Sequence, residues 1–86
     1  MPNVEIYTTS LCPYCVSAKQ LLERKGIAYR EINLTSLSTD ELNRQMLALS
    51  GRRTVPQIVI NGRSIGGYTD LRRLEDAGEL DRLLRA

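Results

Sequence analysis

Cys12 and Cys15 are the only two cysteines of an 86-residue chain that contains no histidine. With Pro13 and Tyr14 between them, the pair is compatible with a redox couple, half of a metal site, or two buried structural thiols. A structural zinc site takes about four ligands, mostly cysteine and histidine. One chain cannot assemble that set here, so a metal reading requires a dimer that contributes two cysteines from each copy. The lack of histidine also removes the Cys–His hydrolases. Thiol–disulfide exchange needs little beyond a thiolate and a good leaving sulfur, and these residues supply both.

What positions the pair is a strand followed by a helix. "VEIYT" (4–8) alternates apolar and polar residues, the period of a half-buried strand. From Tyr14 to Lys25 the apolar residues Tyr14, Ala18, Leu21 and Leu22 recur at helical spacing. Pro13 suits the first helical position, which makes Cys12 the N-cap. There the sulfur faces unpaired backbone N–H groups and the positive end of the helix dipole, and both favour a thiolate over a thiol. Cys12 is therefore the expected nucleophile. Cys15, one turn inside, is the expected resolving thiol. A Cys-x-x-Cys pair opening a helix after a strand is a specific redox signal.

The remaining pattern fills out one small α/β domain. Gly26 stands where a left-handed cap would end the first helix, and "IAYREINL" (27–34) reads as a second strand, parallel to the first. "STDE" (38–41) has the capping-box pattern, with Ser38 as N-cap. A helix with Leu42, Met46 and Leu49 follows and closes at Gly51. "VPQIVI", "NG" and "RSI" read as a β-hairpin on a type I′ turn, with Pro56 at the strand's beginning. Asp70 is the expected cap of a last helix that runs to Gly78, and a short amphipathic tail with Leu80, Leu83 and Leu84 completes the chain. The order is βαβαββα, a four-stranded mixed sheet flanked by helices, as one domain over 1–86.

Composition excludes several classes. A net charge of +2, with 42% hydrophobic and 26% charged residues, describes an ordinary globular protein and not a nucleic-acid binder. No apolar run reaches membrane-spanning length. "MPNVEIYTT" lacks the layout of a signal peptide, which points to a reducing cytoplasm.

Three stretches, "CPYC" (12–15), "TVPQIVI" (54–60) and "GGYTD" (66–70), occur in the order and spacing of the glutaredoxin family, and the resemblance covers nearly the whole chain. It is to the bacterial dithiol type. It implies a thioredoxin-like fold and a glutathione-dependent reductase of protein disulfides and glutathione mixed disulfides, with glutathione as co-substrate and no metal. It further implies a cytoplasmic monomer whose partners are glutathione and disulfide-containing or glutathionylated proteins such as ribonucleotide reductase, with neither nucleic acid nor membrane involved.

By the same resemblance, Tyr14 flanks the bound tripeptide, and the Val55–Pro56 bond is cis. Thr54, Val55 and Pro56 then set a loop against the cysteine site, and the Val55 backbone N–H and C=O pair with glutathione as a short added strand. Gly67 permits a close approach. The Thr69 and Asp70 N–H groups receive the γ-glutamyl carboxylate, with the Asp70 side chain facing its ammonium. Arg52, Arg53 and Gln57 are the candidates for the glycine carboxylate. Many relatives carry a lysine three residues before the first cysteine. This chain has Thr9 there, so activation of Cys12 leans on the helix terminus. Two rival readings stay open from sequence: a thioredoxin-like reductase served by a flavoprotein, against which "TVP" and "GGYTD" argue, and an iron–sulfur carrier, for which "CPYC" is a poor match.

Overall fold

The computed structural model describes residues 2–85. Strand β1 (Val4–Thr8) pairs in parallel with β2 (Arg30–Asn33) and antiparallel with β3 (Gln57–Ile60), and β3 pairs antiparallel with β4 (Arg63–Gly66). The sheet is therefore mixed, in the order β2-β1-β3-β4. Helices α1 (Pro13–Arg24), α2 (Thr39–Ser50), α3 (Tyr68–Asp76) and α4 (Glu79–Arg85) accompany it.

Alternation in β1 buries Val4, Ile6 and Thr8. Val4 and Ile6 pack with Ala18, Leu21 and Leu22 of α1, Ile58 and Ile60 of β3, Leu71 of α3 and Leu80 of α4 into one aliphatic cluster. All four β3 residues are buried, as expected of a central strand covered on both faces. Its period of two turns Gln57 and Val59 away from the side that holds Ile58 and Ile60.

Local chemistry explains the boundaries. Ser38 caps α2 by accepting the Glu41 N–H at 3.1 Å, while the Glu41 carboxylate pairs with Arg44 instead of reaching back. Gly51 ends α2 at φ 78°, a left-handed conformation that suits glycine. In the hairpin, Ile60 pairs with Arg63, and Asn61 and Gly62 have φ of 52° and 80°. Two positive φ values identify the expected type I′ turn.

The structure departs from the sequence reading in three further places. The second strand is shorter than 27–34: Ile27 and Tyr29 pack against the core from outside the sheet. Gly67, not Asp70, is the N-cap of α3, and Asp70 sits three residues inside the helix. The tail is a fourth helix, because Leu80 is fully buried and anchors it to the core. Lys25 adds a second tie, its Nζ lying 2.9 Å from both Glu75 of α3 and Asp81 of α4. Leu80→Ala is expected to lower the unfolding free energy by roughly 2–5 kcal/mol, the usual cost of a buried leucine truncation. Urea denaturation measures it, and a loss well under about 1 kcal/mol would mean that α4 is only loosely attached.

Candidate active site

Cys12 occupies the N-cap of α1 with extended backbone, φ −136° and ψ 100°, and Pro13 takes the first helical position. In this pose Cys12 Sγ accepts the Cys15 N–H at 3.1 Å. The two cysteines form a disulfide with Cα atoms 5.2 Å apart. Cys15 is buried at 1% exposure, while Cys12 is half-buried. The access order is thus outer Cys12, inner Cys15.

The loop that delivers Cys12 is braced from the end of β2. The Thr8 carbonyl accepts the Leu34 N–H at 2.8 Å. Ser10 N–H donates to Thr35 Oγ1 at 2.7 Å, and the Thr35 hydroxyl donates to Ser10 Oγ at 3.0 Å. Asn33 joins the group by accepting the Thr35 N–H at 2.9 Å. Sequence reading missed this brace, since isolated Ser, Asn and Thr residues carry no signal until the fold brings them together. Thr9 is half-buried within that stretch.

The Val55–Pro56 bond is cis. The Val55 carbonyl oxygen lies 3.8 Å from Cys12 Sγ. As a disulfide sulfur Cys12 has no proton to donate, so this is a contact and not a hydrogen bond. The loop before it is supported from below. Gln57, 1% exposed, donates its amide N–H groups to the Arg52 carbonyl at 2.7 Å and the Thr54 carbonyl at 2.9 Å. In this arrangement both amide N–H groups of Gln57 are engaged in supporting the loop.

Gly66 and Gly67 let the chain approach itself closely. Gly66 has φ 116°, and a Cβ there would collide with the Asp70 carboxylate; a Cβ on Gly67 would come 3.4 Å from the Pro56 carbonyl oxygen. Asp70 folds back so that its Oδ2 accepts the Gly67 N–H at 3.0 Å and an Arg52 N–H at 2.8 Å. Arg73 stands 3.8 Å from Oδ1. The Gly67 N–H first, and then Arg52, hold the Asp70 carboxyl below its usual range.

Tyr14, Thr54, Val55, Pro56, Gly67, Thr69 and Asp70 line one cleft of about 210 Å³, joined by Arg52 and Tyr68. The rings of Tyr14 and Tyr68 stack with centroids 6.1 Å apart, which gives Tyr68 a place that its sequence position did not suggest. Arg53 is exposed and lies outside that lining. Among the described residues no group of three or more His, Cys, Asp or Glu is gathered as a metal site would require, and no helix is long and apolar enough to cross a membrane.

The glutaredoxin family model matches residues 4–65. The chain belongs to the glutaredoxin family. It is 50% identical over 86 residues to a glutaredoxin of Pseudomonas aeruginosa, covering 100% of both chains. To glutaredoxin 3 of Escherichia coli K12 it is 46% identical over 85 residues, covering 99% of this chain and 100% of that one. The crystal structure of a buckwheat glutaredoxin–glutathione complex superposes with a TM-score of 0.88 at 29% identity, over 98% of this chain and 77% of that one. As a glutaredoxin the chain has the thioredoxin-like fold and is a glutathione-dependent thiol–disulfide oxidoreductase, with glutathione as reductant. That decides against the flavoprotein-served alternative.

The capped carboxylate of this glutaredoxin has a testable pH signature. A carboxyl whose folded pKa is depressed contributes stability that is whole above its unfolded pKa and fades as pH falls toward the folded value. Asp70→Asn is therefore expected to melt below wild type at neutral pH, with the gap closing as pH drops below the ordinary carboxylate value of 3.8. Thermal melts across that range measure it, and a gap that is independent of pH would show that the charge contributes nothing.

Proposed function

We propose that Cys12 is the nucleophile and Cys15 the resolving thiol of this glutaredoxin. The observation that carries the assignment is the hydrogen bond from the Cys15 N–H to Cys12 Sγ at 3.1 Å at a helix start, combined with the burial of Cys15. In the reduced protein that N–H and the helix terminus stabilise negative charge on Cys12.

With a glutathionylated protein, the Cys12 thiolate attacks the glutathione sulfur. A Cys12–glutathione disulfide forms, the protein–glutathione bond breaks, and the departing protein thiolate takes a proton from water. A second glutathione thiolate attacks the glutathione sulfur of that adduct, which yields oxidised glutathione and regenerates the Cys12 thiolate. With a protein disulfide, Cys12 first forms a mixed disulfide with the protein. Cys15 then attacks the Cys12 sulfur, releases the second protein thiol and leaves the Cys12–Cys15 disulfide. Two glutathiones reduce that bond and leave as one molecule of oxidised glutathione.

The cleft is the proposed glutathione site. Val55 offers its backbone groups beside the sulfur, Thr54 and Pro56 shape that edge, and Gly67, Thr69 and Asp70 receive the γ-glutamyl end at the start of α3. Tyr14 forms a wall with Tyr68. Gln57 acts through the loop it holds, and Arg53 takes the glycine end. We further propose that residues 1–86 are a single glutaredoxin domain that works as a monomer in the cytoplasm. Its partners there are disulfide enzymes such as ribonucleotide reductase. The bond that such enzymes form in each turnover is the kind the dithiol pathway reduces.

Two variants in a glutathione-coupled assay test the division of roles. Cys12→Ser is expected to abolish turnover on glutathione mixed disulfides. Cys15→Ser should keep that reaction and lose protein-disulfide reduction, because a monothiol can be regenerated by glutathione but cannot resolve a mixed disulfide with protein. Full activity of Cys12→Ser, or the reverse pattern for Cys15→Ser, would sink the assignment.

A further inference from the structure

Four large hydrophobic side chains stand exposed among the described residues, and three of them, Leu11, Tyr14 and Val16, fall between positions 11 and 16. Apolar residues scattered singly over a surface need no explanation, but a cluster does. Tyr14 is accounted for by its stack on Tyr68 at the cleft. Leu11, 96% exposed, and Val16, 48% exposed, lie outside the lining of that cleft. Both flank the nucleophile. Leu11 precedes Cys12 directly, and Val16 follows one helical turn on, its N–H donating to the Cys12 carbonyl at 3.2 Å.

With Cys12 as N-cap, Leu11 holds the position before the cap and Val16 the fourth helical position. Apolar residues at those two positions often pack on each other and fix the angle at which the chain enters the helix. Here they do not, because Leu11 buries almost none of its surface. The entry is fixed by other means. Ser10 N–H is held by Thr35 Oγ1 at 2.7 Å on one side of Leu11, and the Cys12 cap closes at 3.1 Å on the other. A backbone pinned on both sides presents an unused apolar side chain next to the reactive sulfur.

We propose that Leu11, with Val16 one turn on, selects protein disulfides in which an apolar residue adjoins the attacked cysteine. The proposal rests on Cys12 as the nucleophile toward protein disulfides, and that reaction names the occupant. Cys12 Sγ bonds one sulfur of the partner's disulfide while the other leaves as a thiolate, so the partner's chain is tethered beside Leu11. A disulfide holds its two Cα atoms roughly 4.4–6.8 Å apart, and the next residue of each chain is about 3.8 Å further on. A side chain adjoining the partner's cysteine is therefore within reach of Leu11. An apolar one is drawn there by the removal of water from both. A hydroxyl or charge would lose water without gaining a hydrogen-bond partner. Glutathione has no apolar side chain to offer, so the contact acts on protein substrates alone.

Three substrates in a glutathione-coupled assay test this: a mixed disulfide of glutathione with a small thiol, and two short peptides with an intramolecular disulfide. One peptide has leucine beside each cysteine and the other has serine. Leu11→Ser is expected to raise KM for the leucine peptide about fivefold, the scale of a leucine losing roughly half of its buried apolar surface. Its effect on the serine peptide and on the glutathione mixed disulfide should stay within about twofold. Leu11→Met should remain near wild type, since it keeps apolar reach, and Val16→Ser should shift the leucine peptide in the same direction by less. Leu11 contributes nothing to the core, so neither of its variants unfolds the protein. An equal loss on all three substrates would assign Leu11 to the geometry of the sulfur and overturn the proposal. No change on the leucine peptide, or wild-type protein that treats the two peptides alike, would overturn it too. Wild-type protein that turns over the glutathione mixed disulfide but neither peptide would instead refute the protein-disulfide reading on which the proposal rests.

Discussion

The sulfur of Cys12 and the backbone N–H of Cys15, 3.1 Å apart, set the geometry on which the rest of the site depends. A cysteine cap requires extended backbone at Cys12 and helical backbone from Pro13 onward. That break in conformation is possible only where a strand end, a loop and a helix start coincide. Pro13 reinforces it, because it fits the first helical position and lacks an N–H that would need a partner. The Ser10–Thr35–Asn33 brace fixes the approach to that point, and Ala18, Leu21 and Leu22 bury the rest of α1 against the sheet. Packing, cap and reactivity are thus one structure: whatever shifts α1 along its axis shifts the sulfur with it.

Around this fixed sulfur the cleft-lining groups are held by two buttresses that look inward. Gln57, buried in the central strand, supports two carbonyls of the loop that carries Arg52 and Thr54. Asp70 supports the turn at Gly67 and grips Arg52 across the cleft. Both use side-chain hydrogen bonds to backbone, which have defined geometry and are costly to leave unmade when buried. The glycine pair follows from this. Gly66 lacks a side chain because the Asp70 carboxylate occupies that space. A motif that reads in sequence as room for a ligand is partly room for the protein's own acid.

This difference marks where sequence reasoning works. Cys12 as N-cap, Pro13 at the helix start, Ser38, Gly51 and the Asn61–Gly62 turn are all local effects, decided within about four residues, and each was legible in the chain. The burial of β1 was legible because alternation is local as well. The cap of α3 was misplaced by three positions: Asp70 sits at the third helical position, where its carboxylate accepts the Gly67 N–H and also holds Arg52, eighteen residues away. Leu80 read as part of a tail because its burial depends on a core assembled from every other element. Gln57 carried no sign of its inward role, since only the fold brings the Arg52 and Thr54 carbonyls under its amide.

The site also shows why so small a domain suffices for this chemistry. Thiol exchange moves a sulfur–sulfur bond through an in-line arrangement, with no charge buildup that would call for a separate acid or base. The start of α1 places the Cys15 N–H at Cys12 Sγ, and Thr9, three residues before Cys12, adds no charge beside it. The cleft beside that sulfur is built largely by loops that meet only there: Thr54–Pro56 before β3, and the turn from Gly66 into α3. Because Cys12 and the cleft-lining residues other than Tyr14 are carried by different elements, substitutions at those residues can reshape the cleft without disturbing the capped sulfur. The reverse does not hold. A shift of Cys12 would move it away from the Val55 carbonyl at 3.8 Å, and so out of register with whatever the cleft holds.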